Sequence, residues 1–170
     1  MLLGSDGLGI VLADACLEAV RWQRQGKDRF ADSRHAGLLT EGLARVDALL
    51  SPENPAGQCY RVELYRMRGE LLLARDGLAA ADEALACFQT ALEVGREKGA
   101  LTWELRAAMS IVRLRARECT ERASAGRQGD GRAAELAEAR ACLADVYRRF
   151  REGFDFADLR DAMSLIGEAG

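Results

Sequence analysis

The stretch ALACFQTALEVGREKGALTWELRAAMSIVRLRAR, residues 84–117, decides the fold class. Before Gly99 its apolar and small residues fall at Leu85, Phe88, Ala91, Leu92 and Gly95; after it they fall at Leu105, Ala108, Met109 and Val112. Steps of three and four place each set on one face of an α-helix, whereas a strand would alternate at every second residue. Gly99 is a helix stop. The stretch therefore reads as two amphipathic helices, about 80–98 and 101–117, each carrying an apolar face that needs a neighbour.

The same spacing continues outward on both sides. Toward the N-terminus a helix is expected over about 58–75, with Tyr60, Leu64, Met67 and Leu71 on one stripe and Asp76-Gly77 at its end. SPENPAG (51–57) reads as a loop, because Pro disfavours helical geometry in the residue before it. Ahead of it lies a helix from Ser33 or Arg34, with Leu39, Leu43, Val46, Leu49 and Leu50 inward, and a first helix over about 9–25 with Leu12, Cys16, Ala19 and Val20 inward. Toward the C-terminus, ECTERASAGRQGDG (118–131) has turn composition and no apolar stripe, and is expected to be a mobile loop. A helix over about 132–151 turns Leu136, Ala139, Leu143, Val146, Tyr147 and Phe150 inward and is closed by Gly153. A last helix, about 156–168, opens with Asp155 as N-cap and Asp158 three residues on, and buries Leu159, Ala162, Met163 and Ile166. It is too short to stand alone, so it reads as a cap docked on its neighbours.

Composition agrees with an all-α fold. Leu and Ala abound while Val, Ile and Thr are scarce, and 49% hydrophobic residues over 170 positions suffice for one compact domain or a short repeat array. The net charge of −3 repels phosphate backbones, so neither nucleic acid nor an anionic membrane is an expected partner. The opening MLLGSDGLGIVLADAC lacks a basic lead and is broken by Asp6 and Asp14, which fits neither a signal peptide nor a membrane span; a cytoplasmic location is the expectation. Five scattered cysteines without a C-x-x-C pair argue against a disulfide framework and a zinc site, and read mostly as small core residues.

No catalytic constellation emerges, so no enzyme is expected. His35 is the only histidine and sits in Asp32-Ser33-Arg34-His35, which reads as a polar helix start. Gly4, Gly7 and Gly9 have no preceding strand and no Gly-Lys-Ser/Thr after them, so they do not form a phosphate loop. Glu63 and Glu70 flank Arg66 at i, i+3 and i, i+4 spacing, the pattern of a surface ion-pair ladder rather than an acid and a base. No cofactor and no metal are expected.

Alternate helices repeat one motif: a small residue, a bulky apolar residue four positions later, and a small or apolar residue three further on. It occurs as Gly42, Val46, Leu49, as Ala84, Phe88, Ala91, and as Ala139, Leu143, Val146. A small residue lets a partner helix approach closely while the bulky one fills the groove a turn later. The pattern resembles the second helix of a tetratricopeptide (TPR) repeat. The expected architecture is thus a single domain over 1–170, a TPR-like α-α superhelix of about seven helices: hairpins at about 9–51, 58–98 and 101–151, and the capping helix.

A further resemblance lies in ELYRMRGELLLAR (63–75), ACFQTALEVGREKGALTWELRAAMSIVRL (86–114) and AEARACLADVYRRFREGFDFADLRDAMSLI (137–166). These strings resemble the C-terminal helical-repeat region of large bacterial regulators, in which a cyclase or DNA-binding module precedes a STAND-type ATPase and then TPR-like repeats. The resemblance implies a signalling role in protein interaction or sensing. No cyclase or P-loop signature is present, so it implies no catalysis here.

One helix face carries the candidate site. Trp103, Arg106, Ser110, Arg113 and Arg117 recur at three- and four-residue steps beside the apolar stripe of the 101–117 helix. Such a strip suits an acidic protein or peptide segment gripped by Arg–carboxylate forks. The alternative is that Arg106 and Arg113 pair with Glu63 or Glu70 and only hold neighbouring hairpins in register. Two other roles stay open: a small-molecule sensor with an apolar cavity near Trp103, Tyr65 and Met67, and a homo-oligomer in which Leu2, Leu3, Leu8 and Ile10 cover the open end of a second copy.

Overall fold

The computed structural model describes residues 32–126 and 130–167. Among them no strand occurs, and the elements are α1 (Asp32–Leu50), α2 (Pro55–Asp76), a 3-10 turn (Gly77–Ala80), α3 (Ala81–Lys98), α4 (Leu101–Ser124), α5 (Asp130–Tyr147) and α6 (Ala157–Gly167). Six α-helices therefore stand where seven are expected over the whole chain; the expected first helix, with its Leu12 and Cys16, lies outside the described residues. The chain divides into two compact units, 1–87 and 88–170, and the boundary falls within α3 rather than between hairpins.

In the first unit α1 contributes Leu39, Leu43, Val46 and Leu49 to the interior and α2 contributes Val62, Leu64, Met67 and Leu71. Burying each such side chain contributes about 1.5–3 kcal/mol, which is why two amphipathic helices pair here. The connection between them is shorter than expected. Helix α2 begins at Pro55, whose missing N–H falls at a first-turn position that has no intrahelical partner anyway, and the Asn54 side chain accepts the Gly57 N–H at 3.4 Å. Gly57 lies directly against α1: a Cβ placed there would overlap the backbone carbonyl of Leu49. Tyr60, expected inward, is 43% exposed.

Arginine supplies the polar fastening of this unit. Arg68 of α2 reaches Asp47 of α1 at 2.8 Å, and Glu83 and the Cys87 thiol of α3 at 2.9 and 3.2 Å. The Asp47 carboxylate raises the Arg68 guanidinium further above its ordinary range, against the opposing effect of burial. Arg66 does bridge Glu63 and Glu70, but the triad is not a surface ladder, since Arg66 is buried.

In the second unit, helix α3 ends in a closed turn. Gly99 adopts φ +63°, its N–H bonds to the Arg96 carbonyl, and the Ala100 N–H bonds to the Gly95 carbonyl, so these two carbonyls of the last turn are satisfied. Helices α4 and α5 pack antiparallel: Glu118 meets Arg132, Arg115 meets Glu135, and near the other end Glu104 meets Arg149. Leu105, Met109, Val112, Leu143 and Val146 are buried in this unit.

Helix α4 runs on to Ser124, so most of 118–126 is helix and not loop. Glu118 is buried and held by Arg115 and Arg132, which replaces the missing apolar stripe with an ion network, and the Thr120 and Ser124 hydroxyls donate to carbonyls one turn back. At the other end α5 stops at Tyr147, well before Gly153. All nine residues of the small–bulky–small motif, from Gly42 to Val146, are buried.

The α1–α2 approach yields a direct check. Gly57→Ala should lower stability by about 1–3 kcal/mol, the usual cost of overpacking a closed seam, although Ala favours helices. Gly37→Ala, where a Cβ meets nothing within 4 Å, should be neutral or stabilising by up to about 1 kcal/mol. Urea denaturation of the two variants measures both.

Candidate functional site

The face of α4 singled out in the sequence is divided by the fold. Ser110 is turned inward and buried, with only 2% of its surface accessible. Trp103 is half-buried and borders, with Ala100, Leu101 and Thr102, an open depression of about 340 Å³. Arg117 pairs with Glu121 one turn along its own helix at 3.4 Å. That leaves Arg106 and Arg113, whose side chains keep 41% and 46% of their exposure.

These two arginines are engaged by α6. Arg106 Nε donates to Asp158 at 2.8 Å, and Arg113 pairs with Asp161 at 3.4 Å. The partners are thus neither Glu63 nor Glu70, both of which turn to Arg66. Asp158 lies in the first turn of α6, where the positive end of the helix dipole also favours a carboxylate. A third arginine, Arg140 of α5, donates from Nε to the Leu165 carbonyl at 3.1 Å, where the negative end of the dipole favours a cation. Between these polar ties Leu159 and Ala162 are buried. Met163, expected inward, is 51% exposed. Asp155 lies two residues ahead of the helix and is not at its N-cap position.

Sequence reasoning missed the strongest electrostatic feature of this unit. Glu104, one residue after Trp103, is wholly buried. Its carboxylate accepts from Arg96 Nε at 3.0 Å and from Arg149 at 2.7 Å to each oxygen. Arg96 comes from α3 and Arg149 from just past the end of α5, so one carboxylate ties three segments. The early stop of α5 lets Arg149 turn back to it. Glu104 raises the Arg96 guanidinium above its ordinary value, and the Cys142 thiol adds to this at 3.3 Å. A buried charge is tolerated only when paired and hydrogen-bonded. The signal available in the sequence was weak: a Glu on the apolar side of a helix.

The cysteines are free thiols where described; Cys87 is buried, Cys119 and Cys142 are partly so, and Cys59 is exposed, contrary to a core role for most of them. Among the described residues no cluster of His, Cys, Asp and Glu is arranged to hold a metal ion. No helix among them is long and apolar enough to cross a membrane. His35 falls within α1, and Gly4, Gly7 and Gly9 lie outside the described residues. The chemistry this face offers is recognition of carboxylates by planar guanidinium groups.

Because either arginine alone still pairs with Glu104, Arg96→Ala or Arg149→Ala should each cost about 1–2 kcal/mol, as for a charged hydrogen bond. The double variant should lose about 3–5 kcal/mol, more than the two singles together, because it leaves the carboxylate buried and unpaired. Chemical denaturation of the four chains of this cycle is the measurement, and strict additivity would contradict the coupling.

The chain matches no known protein family, no curated protein and no solved structure.

Proposed function

We propose that this protein is a non-catalytic interaction module of TPR-like helical hairpins, acting as a regulatory scaffold that grips an acidic protein or peptide segment along α4. The burial of all nine motif residues supports the TPR-like reading, because each small residue then sits where a neighbouring helix can approach. The observation that carries the functional reading is that Arg106 and Arg113 meet the carboxylates of an amphipathic helix while nearly half of each side chain remains open to solvent. Planar guanidinium groups in that setting favour bidentate carboxylate partners over phosphate-rich ones in a chain of net charge −3. The depression beside Trp103 is open and bordered by one short stretch of chain, which gives a small-molecule sensor less support.

Arg113→Glu tests the proposal. The Arg113–Asp161 pair is exposed and long, so its loss should cost no more than about 1 kcal/mol and leave the fold intact. Affinity capture from the native host with wild-type and variant chains should then show a partner that the variant loses at unchanged thermal stability. A variant that loses stability while retaining every partner would overturn the reading.

A further inference from the structure

We infer that α6 is a displaceable internal occupant of the α4 arginine face, and that its contact pattern defines the partner: an acidic amphipathic helix with two carboxylates three residues apart, each followed directly by a small or branched apolar residue. The inference rests on the proposed interaction role of α4 and adds the class of ligand and its regulation.

The pattern is read from α6 itself. Asp158 and Asp161 meet Arg106 and Arg113, and the residues that follow them, Leu159 and Ala162, are the ones the helix buries. Arginine partners rise along α4 as their carboxylates rise along α6, so the occupant lies in the same direction as α4. Arg140 donates to the Leu165 carbonyl near the far end of the occupant.

Several features make the occupant replaceable. An eleven-residue helix has little stability of its own. Its fully buried apolar anchor is small, Leu159 and Ala162, with Leu165 and Ile166 half-buried and Met163 exposed. Of its two ion pairs, Arg113–Asp161 is exposed at both partners, the class of pair that contributes least, and Arg106–Asp158 is only part-buried, with 41% and 34% of its side chains accessible. Residues 148–156 join it to α5 without helix, and Gly153 within them adopts φ +80°. What favours α6 over a competitor is chiefly tethering, since a short connection gives an effective concentration in the millimolar range, on the order of 1 mM. A partner helix with the same carboxylate spacing and a larger apolar anchor would displace it, leaving α6 free.

The test uses the full chain and a labelled, N-acetylated peptide of residues 155–167, DFADLRDAMSLIG, read by fluorescence anisotropy. Wild type should bind it weakly, because the tethered copy competes. Asp158→Arg/Asp161→Arg should bind it at least tenfold more tightly, with helix content by circular dichroism unchanged outside α6. Asp158→Asn/Asp161→Asn should fall between the two, and decides the matter should the Arg variant not fold. Arg106→Glu/Arg113→Glu should lose the peptide but gain the charge-reversed one, in which both aspartates are replaced by arginine. Equal affinity of wild type and the Asn variant would overturn the inference while leaving the Arg113→Glu capture result, and hence the interaction role, standing. Wild type that forms a dimer abolished by Arg106→Glu/Arg113→Glu would also overturn it, by assigning the face to exchange of α6 between copies.

Discussion

The second unit depends on the burial of one carboxylate. Glu104 has no access to water, so its charge must be met by the protein, and Arg96 and Arg149 meet it from segments on either side of α4. The requirement reaches into the backbone. Helix α5 ends at Tyr147, and the chain beyond turns so that Arg149 closes the pair. Gly95 fits the same constraint, since a Cβ there would stand 3.3 Å from the Cα and Cβ of Glu104.

Arginine is the fastening used throughout. Arg68 joins α1, α2 and α3, Arg115 and Arg132 hold the buried Glu118 at the far end of the α4–α5 hairpin, and Arg106, Arg113 and Arg140 hold α6. A guanidinium presents several donors in one plane and stays charged when partly buried, which a lysine does not do as well. The chemistry that fastens α6 is the same that the proposed partner would use, so on that proposal structural and recognition roles share one set of contacts.

Much of the helical layout is legible in the apolar spacing. Leu64, Met67 and Leu71, or Leu105, Ala108, Met109 and Val112, are buried as their periodicity requires, and Gly77 and Gly99 close their helices with positive φ. The errors fall where polar contacts decide. The end of α4 was hidden because Glu118 and its arginines do the work of an apolar stripe. Met163 and Tyr60 sit at positions compatible with an inward stripe, yet both are exposed. Of the candidate strip, the sequence indicated that Arg106 and Arg113 share a face, but Ser110 belongs to the interior and the acidic partners come from α6.

The all-helical character, the approximate helix positions and the buried small–bulky–small motif follow from the sequence alone, because they depend on residues a few positions apart on one helix. Which carboxylate meets which guanidinium depends on residues as far apart as Arg106 and Asp158, or Glu104 and Arg149. Periodicity carries no information over such separations. Only packing the helices against one another fixes those distances, and with them the face that α6 occupies.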